Sequence, residues 1–183
     1  NCISAMLTGR MHGSTWNKIY RRSFLIDSHQ RFVDGADLFE DVGWNIRLFA
    51  LASRISYLNK AYYHYVQYNE NSIIRSMQSL DKSRQRALQR ICNVDVACKF
   101  LNEHGMLTGK LMLAANEWEL LAKNDLLTDH FSSWLRWMVT FPEADSAIIK
   151  CDRITWHYKL LLLYLHHRCL WLYRIHRALL KRI

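Results

Sequence analysis

Proline and glycine are scarce in this sequence: its 183 residues include one proline, Pro142, and six glycines. A protein built from many β-turns needs more of both, because these residues supply the backbone angles of tight turns. Long stretches rich in leucine, alanine, arginine and lysine favour helices instead. Half of the residues are hydrophobic, so the chain can bury a core, which argues against disorder. We therefore expect a mainly α fold with a small β element.

Paired cysteines and long apolar runs are also missing. The five cysteines never form a Cys-x-x-Cys pair, so neither a disulfide framework nor a zinc knuckle is indicated, and we assign no metal ligands within the chain. The longest apolar run, residues 160–165, is too short to span a bilayer, and no basic-then-apolar signal opens the sequence. These features predict a cytoplasmic protein with reduced thiols.

Acidic residues are outnumbered, since 25 lysines and arginines face 16 aspartates and glutamates, for a formal charge of +9. Most of the excess lies in residues 152–183, where seven basic residues face one acid. Such a cluster attracts anionic partners, which include membrane surfaces, nucleic acid and phosphate-bearing substrates.

The second part of the chain is typical of helices joined by brief turns. Apolar residues recur there at helical spacing, and polar or glycine residues lie where helices start and stop. Pro142 helps to end one helix, and Asp145 is expected to cap the next. The expected starts and stops are Ser79, Gly105, Thr108, Thr128, Pro142 and Asp145.

From about Arg153 onward, helical spacing predicts one long terminal helix. The rest of its surface is basic, with tryptophan and tyrosine at intervals. Two interpretations stay open: residues 153–183 rest on anionic headgroups, or the helix packs its apolar side on neighbours and exposes its charges. The adjacent His166 and His167 point about a hundred degrees apart, which is poor geometry for sharing a metal ion.

The first part of the chain carries four short motifs that combine aromatic and charged residues. In order they are Trp16-Asn17-Lys18-Ile19-Tyr20-Arg21-Arg22, Phe39-Glu40-Asp41, Tyr63-His64-Tyr65 and Asn71-Ser72-Ile73. We expect a short strand at the first motif, a helix from Ser23, a helix over about 40–52 and a strand over 62–68.

Glu40 and Asp41 thus lie at a helix start, where the helix dipole favours ionised carboxylates. Capping alone would explain acids there: Asp37 followed by Glu40 matches a capping box, in which Asp37 caps the backbone and Glu40 reaches back. Catalysis is the other interpretation, and the acidic pair by itself does not decide between them.

The ordered set of motifs resembles the second half of family 2 glycosyltransferases of the A-type fold, over roughly residues 7–75. The resemblance implies an inverting transfer of a hexosyl group from a nucleotide-sugar donor to a hydroxyl. Asp41 is then the general base, which takes the proton from the acceptor hydroxyl, and Glu40 orients the loop or the acceptor. Trp16, Lys18 and Arg21 line the acceptor or diphosphate side of the cleft.

The sequence departs from this family in three respects. Phe39 stands where many relatives have glycine, and Val66 stands where an arginine often follows Tyr-x-Tyr. The family's nucleotide-binding half, whose Asp-x-Asp motif holds Mg²⁺ or Mn²⁺ against the diphosphate, has no counterpart in these residues. We therefore expect a fragment that is inactive by itself, with the divalent metal bound mainly by the absent half of the full-length enzyme.

On this resemblance, residues 1–78 are the C-terminal, acceptor-side part of an α/β glycosyltransferase A-type domain, and residues 79–183 are a helical extension ending in a basic amphipathic helix. The acceptor is a saccharide or a lipid-linked molecule, as in cell-surface polysaccharide synthesis, and the enzyme lies on the inner face of the membrane. The alternative is a basic helical binding module for a membrane surface or nucleic acid. No recognised nucleic-acid motif is present, so we expect no nucleic-acid partner.

Overall fold

The computed structural model describes residues 2–66 and 80–180 of the chain, and this part is mainly helical. The helices are α1 (Cys2–Leu7), α2 (Arg22–Asp27), α3 (Glu40–Leu51), α4 (Leu80–Glu103), α5 (Gly109–Asn124), α6 (Phe131–Val139), a 3-10 helix (Pro142–Ala147), α7 (Trp156–His166) and α8 (Leu170–Leu180). The expectation of a mainly α fold is confirmed.

The expectation of a small β element is wrong for the described residues. Neither the first motif nor residues 62–66 form a strand. The end of the second expected strand, the Asn71-Ser72-Ile73 motif, Ser79 and the boundary between residues 78 and 79 lie outside the described residues. Apart from the strands, the expected helices of the first part are present as α2 and α3.

Most helix boundaries in the second part lie close to the expected start and stop residues. α4 ends at Glu103, just before Gly105, whose φ of +64° suits a residue without a side chain. α5 begins directly after Thr108. α6 begins at Phe131, slightly later than expected from Thr128, and Pro142 opens a 3-10 helix after α6 ends.

Two clusters of buried side chains make up the core, and α5 contributes to both. One cluster joins α1, α3, α4 and α5, with Leu7, Ile46, Leu101 and Trp118 among its members. The other joins the end of α5 to α6, the 3-10 helix, α7 and α8. Burial of these apolar surfaces stabilises the helix arrangement, so α5 connects the two parts of the protein.

The loop before α3 is held by a buried amide on α4. The Asn93 side chain donates hydrogen bonds to the carbonyl oxygens of Ala36 and Leu38, both at 2.8 Å. α3 also approaches α4 closely at Gly43, where a Cβ atom would lie 3.0 Å from the Asn93 carbonyl oxygen. These contacts fix the point at which α3 begins, because the amide fastens the preceding loop and the glycine permits the approach.

Lys123 is a charged residue in the second cluster, and its side chain is fully buried. Its ammonium donates to the carbonyl oxygens of Thr140 (3.0 Å) and Phe141 (3.1 Å) and to the carboxylate of Asp145. It also lies 3.9 Å from the centre of the Trp137 ring. Burial lowers the pKa of Lys123, and the Asp145 carboxylate opposes this shift.

The expected capping role of Asp145 is wrong, because its carboxylate serves the buried ammonium instead. Its second oxygen accepts a hydrogen bond from His166 Nδ1 of α7 at 2.7 Å. α7 begins eleven residues further along, at Trp156. Asp145 therefore links α5 to α7 through two basic side chains.

The expected single terminal helix is also wrong: α7 and α8 form a helical hairpin. The chain turns at residues 167–169, where Arg168 has a left-handed φ of +56° and the Cys169 amide donates to the Tyr164 carbonyl at 2.7 Å. Within the described residues, no helix combines the length and the apolar character that a membrane span needs.

Glu119 of α5 is a buried carboxyl group in the first cluster. Burial raises its pKa to about 7, and a hydrogen bond with the Cys98 thiol opposes the rise. The same burial raises the pKa of Cys98. The protonated form of Glu119 is therefore favoured by folding.

We predict that replacing Lys123 by alanine lowers the free energy of unfolding by about 3–5 kcal/mol, because Asp145 would stay buried with only the partly exposed His166 as a basic partner. Denaturant unfolding followed by circular dichroism measures the change. The matched control is Lys99→Ala, which breaks the exposed Lys99–Asp95 pair on α4 and should leave the midpoint unchanged. Equal losses from both variants would contradict a special contribution of the buried ammonium.

A second prediction concerns pH. The folded state holds the Glu119 proton more tightly than the unfolded chain does. The contribution of this group to stability is therefore complete below the unfolded pKa of 4.5 and is lost as the pH rises to the folded pKa of about 7. The loss should be on the order of 3 kcal/mol. Glu119→Gln should abolish this part of the decline in unfolding measurements between about pH 4.5 and pH 7, the range that the unfolded and folded pKa values bracket. A variant with the wild-type slope would disprove the assignment.

Candidate functional site

Asp41 lies in the first turn of α3, and its carboxylate contacts a distant loop rather than its own helix. Oδ2 accepts a hydrogen bond from the Thr15 amide at 3.1 Å, and Oδ1 accepts one from the Thr15 hydroxyl at 2.9 Å. The residue is partly buried. The side chain is therefore neither sealed in the interior nor used to cap α3, and it fixes the position of the loop that contains Thr15.

The capping-box interpretation of the acidic residues is wrong. The residue before α3 is Phe39, which has a left-handed backbone (φ 60°), and no side chain caps the helix. Asp37 is exposed. Burial raises the pKa of Glu40, while a hydrogen bond from its own backbone amide opposes the shift.

A second tether joins the same loop to α3. The Asn45 side chain is completely buried; its Nδ2 donates to the Gly13 carbonyl at 2.8 Å, and its Oδ1 accepts from the Tyr20 hydroxyl. Burial raises the pKa of Tyr20 to about 12. Asn45 thereby holds both ends of the segment from residue 13 to residue 20, which we call the tryptophan loop.

Gly13 allows the tryptophan loop to lie directly on α3. A Cβ atom at this position would lie 2.6 Å from a methyl carbon of Val42. Real Cβ atoms do not approach other carbons so closely, because close-packed interiors leave no space for an overlapping atom. The loop position therefore depends on the missing side chain.

Lys18 fastens the tryptophan loop from within. Its ammonium donates to the carbonyl oxygens of His12 and Ser14 and to Asn17 Oδ1. Burial lowers its pKa, and the charge of Asp41 opposes that shift. The three donors of a lysine are thus engaged inside the loop. Lys18 stabilises the loop conformation, whereas Arg21 is exposed at the start of α2.

Trp16 forms the centre of an exposed aromatic platform. Its ring stacks on Tyr63 at 4.8 Å and on Tyr65 at 5.0 Å, with interplanar angles of 27° and 15°. All three side chains keep a third to a half of their surface open to solvent. We call Trp16, Tyr63 and Tyr65 the aromatic platform. Thr15 precedes Trp16 in the sequence and is hydrogen-bonded to Asp41.

Two cavities lie beside α4, and Asp41 lines neither of them. One, of about 360 Å³, is lined by residues of α4, α5 and α7, among them Arg90 and Tyr158. The other, of about 290 Å³, lies beside Phe39 and also includes Arg90. Neither Asp41 nor a residue of the aromatic platform lines either cavity.

No cluster in residues 2–66 and 80–180 brings together three histidine, cysteine, aspartate or glutamate side chains that could hold a metal ion. The described part of the chain therefore lacks a donor set for a divalent metal, and no chemical step is assigned to a metal held by it.

The structure brings Asp41, Trp16 and Lys18 together around the tryptophan loop. It adds three residues that the sequence did not single out: Thr15, Asn45 and Gly13. Only Gly13 had a local signal, since a glycine just before an aromatic motif is typical of a close backbone approach. Comparison of the chain with models of protein families, with curated proteins and with solved structures gives no match.

Proposed function

We propose that this chain is the acceptor-side part of an inverting family 2 glycosyltransferase, which transfers a sugar from a nucleotide-sugar donor to a hydroxyl of a saccharide or lipid-linked acceptor. The observation that carries the proposal is the pair of hydrogen bonds between Asp41 and Thr15, the residue that precedes Trp16 of the aromatic platform. A carboxylate and exposed aromatic rings are joined through a single residue, Thr15. The ordered motifs of the sequence support the same assignment.

In this proposal Asp41 is the general base. Its carboxylate takes the proton from the acceptor hydroxyl as that oxygen attacks the anomeric carbon, from the face opposite the departing diphosphate. An ionised carboxylate has about four lone-pair directions, of which Thr15 occupies two, so each oxygen can still accept the hydroxyl proton.

Thr15 has a positioning role in the proposal. Its amide and hydroxyl hold the carboxylate in one orientation. Because Asp41 is already oriented, less conformational entropy is lost when the transition state forms. The internal hydrogen bonds of Lys18 keep the tryptophan loop rigid. Glu40 would orient the acceptor from the neighbouring position.

The aromatic platform would bind the acceptor sugar. Aromatic rings offer flat apolar surfaces that pack against the C–H face of a sugar ring, and their exposure leaves room for it. Arg21, exposed at the start of α2, would pair with the diphosphate. The nucleotide sugar and a divalent metal would bind mainly to an upstream nucleotide-binding half, which we propose for the full-length enzyme.

We predict that Asp41→Asn in the full-length enzyme lowers kcat for sugar transfer by at least about 100-fold, because the amide cannot accept the proton. Transfer from a radiolabelled nucleotide sugar to an acceptor measures the loss. Asp37→Asn is the matched control, since it neutralises an exposed carboxylate in the preceding loop and should keep full activity.

The thermal unfolding midpoint of Asp41→Asn distinguishes catalysis from loop fastening, because asparagine is isosteric and retains one acceptor for Thr15. Turnover close to that of the wild type, in a folded variant, would sink the assigned base.

The platform generates a separate prediction. Trp16→Ala should raise the acceptor KM roughly tenfold with a smaller change in kcat, because stacking is lost while the base remains. Trp16→Phe should restore most of the affinity. Trp156→Ala, which removes an exposed tryptophan from α7, is the control and should leave KM unchanged. If Trp16→Ala had a wild-type KM, the platform would not be the acceptor surface.

A further inference from the structure

α8 buries one side against the protein. Tyr173 is fully buried and its ring lies 4.7 Å from that of Trp134 in α6. His176 faces Tyr164 of α7, with ring centres 5.8 Å apart. Arg177 pairs with Asp129, on the same side of the helix. The inward face of α8 therefore packs against α6, α7 and the loop between α5 and α6.

The opposite face of α8 carries an apolar stripe that the described residues leave uncovered. Trp171, Ile175 and Leu179 follow one another at intervals of four residues, and they are 66%, 54% and 54% exposed. Residues four apart lie on the same side of a helix. A surface helix normally turns polar residues outwards, so α8 differs by having apolar residues on both its inner and outer faces. We call these three residues the outer stripe.

The two helices of the hairpin that carries the outer stripe are basic. α7 and α8 contain no aspartate or glutamate, and neither does the turn between them. Arg174 is exposed one turn from Trp171, and Arg168 is exposed in the turn of the hairpin. The stripe thus combines an apolar centre with basic residues at its edge, which complements a surface that is anionic outside and apolar underneath.

Two other occupants fit less well. A second copy of the chain would place like charges opposite each other, and three exposed side chains cover much less surface than a stable dimer interface needs. Nucleic acid would engage the arginines, but it offers no apolar partner for Ile175 and Leu179. Aliphatic side chains beside tryptophan and arginine are typical of helices that lie on lipid.

We propose that α8 binds the surface of a bilayer that contains anionic lipid. Trp171, Ile175 and Leu179 enter the boundary between headgroups and acyl chains, while Arg168 and Arg174 contact the anionic headgroups. Tyr173 holds α8 on the protein at the same time, so the helix lies parallel to the membrane plane and the hairpin stays folded. This inference is independent of the proposed sugar transfer.

Vesicle cosedimentation of the 183-residue chain tests the proposal. We expect binding to vesicles of phosphatidylcholine mixed with phosphatidylserine, weaker binding at high salt, and little binding to phosphatidylcholine alone. The paired variant Ile175→Ser with Leu179→Ser should lower the partition coefficient by about tenfold or more. Arg168→Gln with Arg174→Gln should remove the preference for phosphatidylserine.

The matched control lies on α6, where Leu135 and Val139 are also exposed and four residues apart. Leu135→Ser with Val139→Ser should bind vesicles like the wild type, since an exposed substitution leaves the fold intact. Circular dichroism verifies the helix content of every variant.

Three results would overturn the proposal. The first is the absence of binding to phosphatidylserine vesicles by the folded chain. The second is an equal loss of binding from the α6 and α8 pairs. The third is a dimer in sedimentation equilibrium that Ile175→Ser with Leu179→Ser dissociates, without any lipid binding, which would assign the stripe to a second copy of the chain.

Discussion

A buried ammonium group organises the second part of this protein. Lys123 donates hydrogen bonds to the end of α6, to the residue before the 3-10 helix and to Asp145. Asp145 in turn binds His166 in the last turn of α7. Such a cation is stable inside a protein only when its donors are satisfied, so the surrounding backbone has little freedom to rearrange. His166 is the last residue of α7, so this arrangement also holds the end of α7 on the 3-10 helix.

The first part is organised differently, because polar side chains hold a loop on a helix. Asp41 and Asn45 are one turn apart in α3, and each binds the tryptophan loop at a separate place. Asn45 is fully buried, whereas Asp41 is only partly buried. Asn45 is thus the interior contact of the tryptophan loop with α3, and Asp41 is the contact that remains partly open to solvent.

Local patterns predicted the helices well, because caps, glycine stops and apolar spacing act over a few residues. They missed what depends on distant partners. The Tyr63-x-Tyr65 alternation suggested a strand, but both rings stack on Trp16 instead. The apolar spacing continues through the turn at Arg168, so one helix was expected where the chain folds back. Nothing in the neighbourhood of Lys123 or Thr15 indicates their partners, which lie 22 and 26 residues away along the chain.

The contact between Gly13 and Val42 has an evolutionary consequence. A methyl group added at residue 13 would overlap the Val42 side chain. The backbone of the tryptophan loop would then have to move away from α3, and Thr15 and Trp16 would move with it. A larger residue at position 13 is therefore tolerated only together with a smaller residue at position 42. Homologous chains in which both sites vary should therefore show the two substitutions as a coupled pair.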